Sequence, residues 1–443
     1  MREVEFCLPE DLDARLQERY ALLVKQHLNV SQPDAAGAKA LPGAASAFAC
    51  TQAAWRFYNN ENVSLPGLAE PLLTHAHTAL QADCQRYGLV VHDWSSLTYR
   101  HQSKKDRAVL QHKKHRGYEL QEALLLSDKE GQPLVPLVQE VRSNKGLHST
   151  RSEQVLPRQR RLDTLTERME YLEDMDWEKP LVHIIDREAD SVGHYRQWNG
   201  QKRRFLVRAK GRQRIRWSGQ ECLLKEVVQP LAVSGAFQWS RQVDYEGTPA
   251  EQYVAETTVV LERAARPNHK GKSSSVAGAP LELRLIVSQV RDKKGQLLAT
   301  WLLLSQVESS VSAGELALWY YWRWRVESFF KLLKSAGHQL ESWQQETGLA
   351  VARRLLVASM ACVVVWQIAR DPSPQAQQSR ELLVRLSGRQ MKHGCSWTHG
   401  ALLAGLWSLL AMLDLLEHAD STDVKALLGS LTALLDVKRQ YHV

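Results

Sequence analysis

The sequence predicts a mixed α/β fold with helical regions at both ends, and three observations predict it. Two apolar runs, Leu89-Val90-Val91 and Leu181-Val182-His183-Ile184-Ile185, each lead into an aspartate, Asp93 and Asp186. Between them lie two more strand-like stretches and one helical stretch, the alternation that builds a sheet with helices against it. From about Arg203 to Leu304 the pattern turns to many short β-rich runs, such as Phe205-Leu206-Val207 and Leu283-Arg284-Leu285-Ile286-Val287.

Taken in order, residues 1 to about 80 read as mostly helical, with a Gly/Ala/Pro-rich break from Pro33 to Ala45. Ser64, with Pro66 just behind it, makes a helix opening: its hydroxyl can accept an orphan amide and Pro needs none. Tyr87 to Asp93 reads as a buried strand closing on its acid. Tyr118 to Leu126 and Leu134 to Val141 read as two further strands, joined by a turn at Asp128-Lys129-Glu130-Gly131. A helix from about Arg160 to Leu172 leads to the fourth strand, which Asp186 closes. Strands, helix and strand in that order fit an α/β core of the ribonuclease-H-like kind. Within the β-rich stretch, Ala264 to Pro280 carries Lys270-Gly271-Lys272-Ser273 and reads as a flexible hairpin tip. Asp371-Pro372-Ser373-Pro374 closes the core, and leucine-rich helices at Glu381 to Leu386 and Ala401 to Glu417 follow.

The expected division is a helical region over 1–80, a first catalytic part over 81–200, and a β-rich insertion over 201–297. A second catalytic part over 298–370 and a helical C-terminal region over 371–443 complete it.

With 443 residues the chain exceeds one ordinary core, and 44% apolar content suits globular folding. A net charge of +8 favours a polyanionic partner. Several of the 14 tryptophans alternate with arginines, as in Trp322-Arg323-Trp324-Arg325, a mixture suited to stacking and phosphate contact. The run Arg100 to Arg116 holds seven Lys/Arg and three His against one Asp, a candidate for phosphate contact; Arg158-Gln159-Arg160-Arg161 is a weaker one. The six cysteines are far apart without paired spacing, which excludes a zinc ribbon and a dense disulfide framework. The start has no apolar signal core. Leu355 to Ala369 and Ala401 to Leu413 are short for membrane spans and read as buried helices. A reducing cytoplasm is the expected compartment, with no membrane partner.

The chemistry concentrates in Trp319-Tyr320-Tyr321-Trp322-Arg323-Trp324-Arg325-Val326-Glu327-Ser328-Phe329-Phe330-Lys331-Leu332-Leu333-Lys334. On one continuous helix, at about 100° per residue, Tyr320, Arg323, Glu327 and Lys334 fall within roughly 60° of one another. Trp322, Val326, Phe329 and Leu333 fall opposite, as a core-facing stripe should. Asp93 and Asp186 at strand ends and Glu327 on this helix form an oxygen-only set of the kind hard cations prefer. Two Mg²⁺ ions roughly 4 Å apart in such a set serve in-line displacement at phosphorus. From pattern alone each acid also has a plainer reading: Asp93 and Asp186 as turn caps, Glu327 as the partner of Arg323 four residues back.

The spacing Tyr320, Arg323, Glu327, Lys334 resembles the Y-R-E-K signature of bacterial insertion-sequence transposases with an Asp-Asp-Glu active site, the insertion-sequence-four family. Asp93-Trp94-Ser95-Ser96-Leu97-Thr98-Tyr99-Arg100-His101 and Asp186-Arg187-Glu188-Ala189-Asp190 resemble the motifs around that family's first two acids. The resemblance implies that Asp93, Asp186 and Glu327 are catalytic and bind Mg²⁺, with Mn²⁺ able to substitute. It implies that Tyr320, Arg323 and Lys334 grip the DNA strand around a flipped base. Trp301, in Trp301-Leu302-Leu303-Leu304, would stack on that base, and Arg208 and Lys210 of Phe205-Leu206-Val207-Arg208-Ala209-Lys210 would approach DNA near the cleaved end. Gln52 to Ser64 is similar to the family's N-terminal DNA-binding segment. The implied partners are double-stranded DNA, as terminal inverted repeats and target, and a second copy of the chain in the DNA complex. The implied activity is cut-and-paste excision through a hairpin intermediate, followed by strand transfer, in the nucleoid of a bacterial cytoplasm.

Overall fold

Leu89, Val90 and Val91 are buried on both faces of one strand, β1 (Gly88–Thr98), in this computed structural model. Such a double-sided apolar run belongs in the middle of a sheet covered on both sides. The structure describes residues 8–9, 12–29, 47–99, 104–110, 115–265, 277–392 and 394–418, with Thr422 and Ala426. The Pro33–Ala45 break, parts of the basic run at 100–103 and 111–114, most of the 264–280 tip and nearly all of the chain beyond 418 lie outside the described residues.

β1 does not close on Asp93 as expected. It runs on to Thr98 because β3 (Arg116–Ser127) pairs with it antiparallel without a break, from Gly88↔Ser127 to Thr98↔Gly117. The turn expected at Asp128–Gly131 joins β3 to β4 (Pro133–Arg142). The Asp128 carboxylate anchors it, accepting the amides of Arg86 and Tyr87 at 2.7 and 3.0 Å. Gly131 closes the turn at φ +64, and a Cβ there would lie 2.2 Å from the Trp322 ring. Both the backbone angle and the packed indole therefore demand glycine.

β2 (Ala108–Val109) and β5 (Leu147–Ser149) edge β3 and β4. Helix α4 (Arg161–Glu173) leads to β6 (Leu181–Ile185), parallel to β1 in the register Gly88↔Leu181 to His92↔Ile185. Helix α5 (Val192–Gly200) then leads to β7 (Phe205–Arg208), parallel to β6. The strands expected to form an insertion continue the same sheet. These are β8 (Arg214–Trp217), β9 (Gln220–Leu223), β10 (Gln238–Tyr245), β11 (Thr248–Leu261) and β12 (Leu281–Arg291), with α6 (Val228–Val233) before β10, and β13 (Leu297–Ser305) follows them into the sheet. The 13-stranded sheet runs β5-β4-β3-β1-β6-β7-β13-β12-β11-β8-β9, with β10 on β11 and β2 on β3.

Alternation sorts the side chains onto two faces. Ile184, Leu206 and Ile286 join one buried cluster, and their neighbours Ile185, Val207 and Leu285 join the other. The first cluster lies under α1 (Ala14–Asn29), α2 (Ala47–Asn59), α3 (Leu65–Asp83), α7 (Ala313–Trp322), α8 (Arg325–Leu333) and α9 (Gly348–Arg370). The Ser64 hydroxyl caps α3, accepting the Gly67 amide at 3.0 Å. Helices α10 (Pro374–Leu386) and α11 (His399–His418) follow, the first capped by Ser373.

The apolar run expected at 355–369 is longer than read, since α9 covers 23 residues. By length and composition it could cross a membrane, but 89% of its most apolar stretch is buried inside this fold. Its first turns carry two buried arginines. Arg353 donates to the Tyr58 carbonyl at 3.0 Å, and Arg354 donates to Gln345 Oε1 at 2.8 Å while lying over Trp343.

One buried acid carries a pH prediction. Glu122 on β3 is fully buried; Gln139 donates to one of its oxygens at 2.9 Å, and burial pushes its carboxyl up to about 8. A folded-state value above the unfolded one means the folded chain holds the proton longer, so stability falls as pH rises towards about 8. Glu122→Gln is expected to flatten that fall, with the melting temperature of the variant gaining on the wild type between about pH 5 and 8. A temperature difference that stays constant across this window would refute the assignment.

Candidate active site

Asp93 and Asp186 meet because β1 and β6 are neighbours. The last paired residues are His92 and Ile185, so the two aspartates stand one step further along adjacent parallel strands. Asp93 shares its face with Leu89 and Val91, and Asp186 shares that face with Ile184, two residues before it. Asp186 also opens the single turn Arg187–Ala189, where its Oδ1 accepts the Arg187 amide at 2.7 Å.

The expected continuous helix over Tyr320–Lys334 is two helices. α7 stops at Trp322 and α8 starts at Arg325, with a tight turn in which the Arg323 amide donates to the Tyr320 carbonyl at 3.1 Å and the Val326 amide donates to the Arg323 carbonyl at 3.2 Å. In such i→i+3 geometry, residues three apart eclipse. Tyr320 and Arg323 therefore line up one above the other and reach the same acids. The Tyr320 hydroxyl donates to Asp186 Oδ1 at 2.9 Å, and Arg323 Nη1 donates to Asp93 Oδ2 at 2.8 Å. Arg323 Nη2 stands 3.7 Å from Asp186 Oδ2, so one guanidinium bridges both aspartates. Trp322 packs against Gly131 of the β3–β4 hairpin and, with Val326, Phe329 and Leu333, stays in the buried core as expected.

Glu327 lies in the first turn of α8, half-buried, and its charge acts on Asp93, Arg323 and Lys334. Lys334 follows the last turn of α8 and donates to Ser95 Oγ at 2.8 Å and the Ser96 carbonyl at 2.7 Å. That fastens α8 to the continuation of β1. Arg208, at the end of β7, stands 3.7 Å from Asp186 Oδ1.

The two aspartates differ electrostatically. Burial pushes Asp93 up to about 6, with Glu327 and Asp186 adding to the rise and Arg323 and the Trp94 amide opposing it. Burial also raises Asp186, but Arg323, the Arg187 amide, the Tyr320 hydroxyl and Arg208 outweigh it and hold the carboxyl below its ordinary value. Burial lowers Lys334, against the pull of Glu341 and Glu327.

Glu188 and Asp190, the other acids of the Asp186-to-Asp190 motif, are engaged elsewhere. Glu188 pairs with Arg161 at 3.2 Å; Asp190 accepts the Tyr195 hydroxyl at 3.1 Å and the Lys210 amide at 2.9 Å. Lys210 thus faces a neighbouring cleft rather than the three acids. Trp301 is 6% exposed and packs edge-on against Tyr320, with ring centres 5.6 Å apart, so its indole is covered in this state. Trp324, by contrast, is 54% exposed beside the Arg323 guanidinium.

Three participants escaped the sequence reading: Ser95 and Ser96, which hold Lys334, and Arg161, which lies over the Trp94 ring while pairing with Glu119 and Glu188. The serines follow an identified acid within its own motif, which was the available signal. The arginine sat in a cluster read only for its charge.

Among the described residues, no three His, Cys, Asp or Glu side chains stand close enough to hold a metal ion as they are. The donor set Asp93, Asp186 and Glu327 nevertheless suits a divalent cation chemically, being all carboxylate. A cation already lies between the two aspartates, and it is Arg323. The residues fit an ion in kind and charge once that guanidinium moves aside.

The family model of the transposase DDE domain matches residues 85–364, from the start of β1 into α9, and takes in all three candidate acids. No curated protein sequence matches the chain. Among solved structures, the cryo-electron microscopy structure of the piggyBac transposase synaptic complex with hairpin DNA aligns with a TM-score of 0.39 and 9% identity, covering 98% of this chain and 80% of that chain. The matched domain spans more than half of the 443 residues, and the chain belongs to the transposase DDE domain family.

Proposed function

We propose that this chain excises and inserts its own insertion sequence by cut-and-paste transposition, using a ribonuclease-H-like core and the Y-R-E-K arrangement of the insertion-sequence-four family. The observation that carries the reading is the convergence of Asp93 and Asp186 on Arg323, with Glu327 in electrostatic reach of both Asp93 and Arg323. The core assignment is supported by a sheet in which β1 lies between the antiparallel pair β3–β4 and the parallel pair β6–β7.

Asp93, Asp186 and Glu327 would hold two Mg²⁺ ions, with Mn²⁺ able to substitute. Ions bound there supply activation of the attacking oxygen and stabilisation of the leaving oxygen at phosphorus. Arg323, released from the aspartates, is a planar fork matched to non-bridging phosphate oxygens, while Lys334 offers a point charge. Tyr320 orients Asp186 and, once the strand enters, can donate to a phosphate. Trp301 stacks on a flipped base only if Tyr320 shifts off its ring. Excision passes through a hairpin at each element end. Two copies of the chain pair the ends, with α10 and α11 as the dimerising region. The substrates are terminal inverted repeats and target DNA in the bacterial nucleoid, and no membrane takes part.

The test incubates purified protein with a plasmid carrying the native element ends, with Mg²⁺, with Mn²⁺ and with chelator. Hairpin-ended excision products and joined target, both lost with chelator, are expected. A gel shift with intact DNA under every condition would mean a binding protein without cleavage. Cutting without joining would mean a nuclease of the same fold.

A further inference from the structure

Past Glu327 the exposed flank of α8 turns basic. From Ser328 to Leu340, and again from Leu382 to Leu413, the sequence carries no Asp or Glu. The fold brings these two stretches together. Lys331 follows Glu327 by four residues on α8, so the two share a flank of the helix, on the Arg323 face of the sheet. After α8 the chain turns back, and the Ala336 amide donates to the Lys331 carbonyl at 2.8 Å. The Ala336 carbonyl in turn accepts Arg389 Nη2 at 3.2 Å, from the loop between α10 and α11. Gly400, at the start of α11, permits that approach: a Cβ there would lie 2.7 Å from Arg389 Nη1 and 3.0 Å from the Ala336 carbonyl oxygen.

Lys331, Arg389 and Lys392 are exposed, and among the described residues no carboxylate pairs with any of them. The acids that flank the two stretches are placed elsewhere. Glu327 belongs to the acid centre, Glu341 stands 3.8 Å from Lys334, and Glu381 accepts Gln377 Nε2 at 3.4 Å. Asp414 lies about 22 Å along α11 from His399, at a rise of 1.5 Å per residue. The loop is anchored at both ends of its basic part. The Arg389 amide donates to Ser387 Oγ at 3.1 Å, and Trp397 packs on His399 with ring centres 5.4 Å apart. Anchored cations without acid partners, beside an acid centre, suit sugar-phosphate backbone, since counterions released from phosphate drive such binding.

We propose that the α10–α11 loop holds the backbone of the DNA duplex leading away from the cleaved phosphate. Arg389 and Lys392 make the contacts, and Lys331 links them to the acid centre. The inference rests on the transposase reading, which gives α10 and α11 only a dimerising part. Lys331 lies about 6 Å further along α8 than Glu327, and backbone carried past it continues onto the loop. A grip outside the acid centre keeps the reacting phosphate in place between steps.

The test uses full-length Arg389→Glu/Lys392→Glu beside the charge-keeping Arg389→Lys/Lys392→Arg. Lys392→Glu alone leaves the Arg389–Ala336 contact untouched. Binding of random-sequence duplex, followed by fluorescence anisotropy, is expected to weaken about tenfold or more in the double glutamate variant. The slope of log affinity against log salt should become shallower by about two, one for each cation. Lys392→Glu should show about half that change in slope, and the charge-keeping pair should bind like the wild type. With element ends as substrate, the DNA concentration for half-maximal cleavage should rise about tenfold in the double glutamate variant while the maximal rate stays at the wild-type level. Unchanged binding or salt slope would overturn the proposal. So would weaker binding that the charge-keeping pair shares, or that comes with a changed oligomeric state in sedimentation. If the wild type itself cleaves nothing, the transposase reading fails, and the anisotropy measurements still decide whether the loop holds DNA.

Discussion

Asp186→Asn and Glu327→Gln are each expected to leave folding and DNA binding intact and to lower strand cleavage by about a thousandfold or more. Both changes keep side-chain size. Asn at 186 retains a carbonyl oxygen able to accept the Tyr320 hydroxyl and the Arg187 amide, which now bond Asp186 Oδ1. What disappears is the negative charge, and hard divalent ions bind anionic oxygen far better than amide oxygen. Glu188→Gln is the control: Glu188 is an exposed partner of Arg161, and losing such a pair costs at most about 1 kcal/mol. Gel shifts and cleavage assays on the three variants separate the roles. Full cleavage by either of the first two, or loss confined to Glu188→Gln, would remove Asp186 and Glu327 from the chemistry.

Arg323→Ala is expected to destabilise the chain without metal and to bind metal more readily than the wild type. Arg323 is 4% exposed and bridges Asp93 and Asp186, so its removal leaves two carboxylates facing each other with no cation between them. Stripping a buried pair of one partner costs about 3–5 kcal/mol, and the part-exposed Asp186 brings the expectation here to about 2 kcal/mol. A divalent ion added to the variant takes up the vacated charge position directly; in the wild type the guanidinium must first swing out. Mg²⁺ should therefore raise the melting temperature of Arg323→Ala by more than that of the wild type. Equal shifts for the two proteins would show that Arg323 does not compete for the ion. Cleavage should fall as well, because the guanidinium proposed to meet phosphate is gone.

Much of the architecture is written in local signals. Apolar runs marked β1 and β6, the Asp128–Gly131 turn marked a hairpin, and Ser64 marked the start of α3; each depends on neighbours a few residues away. The candidate acids were legible for the same reason, as residues at the ends of recognisable runs inside recognisable motifs. Periodicity misled at Tyr320–Lys334. A continuous helix satisfies the local pattern, but Tyr320 and Arg323 bond acids 134 and 230 residues away, and the tightened turn at Arg323 aligns both side chains with them. Arg353 and Arg354 made α9 look shorter than it is, because only the folded chain supplies the Tyr58 carbonyl and Gln345 that allow them to be buried. The strand order, the sheet face each acid occupies, and the cleft assembled from residues 160–162, 190–194, 210–213 and 263 are likewise products of long-range pairing. The sequence by itself marked most of the strands and helices, since those depend on local sterics and apolar spacing, and it placed the candidate acids Asp93, Asp186 and Glu327 inside recognisable motifs. Only the tertiary structure decided that one guanidinium stands between two aspartates and that Arg389 of the α10–α11 loop meets the chain just past α8, since electrostatic neighbours are set by long-range packing.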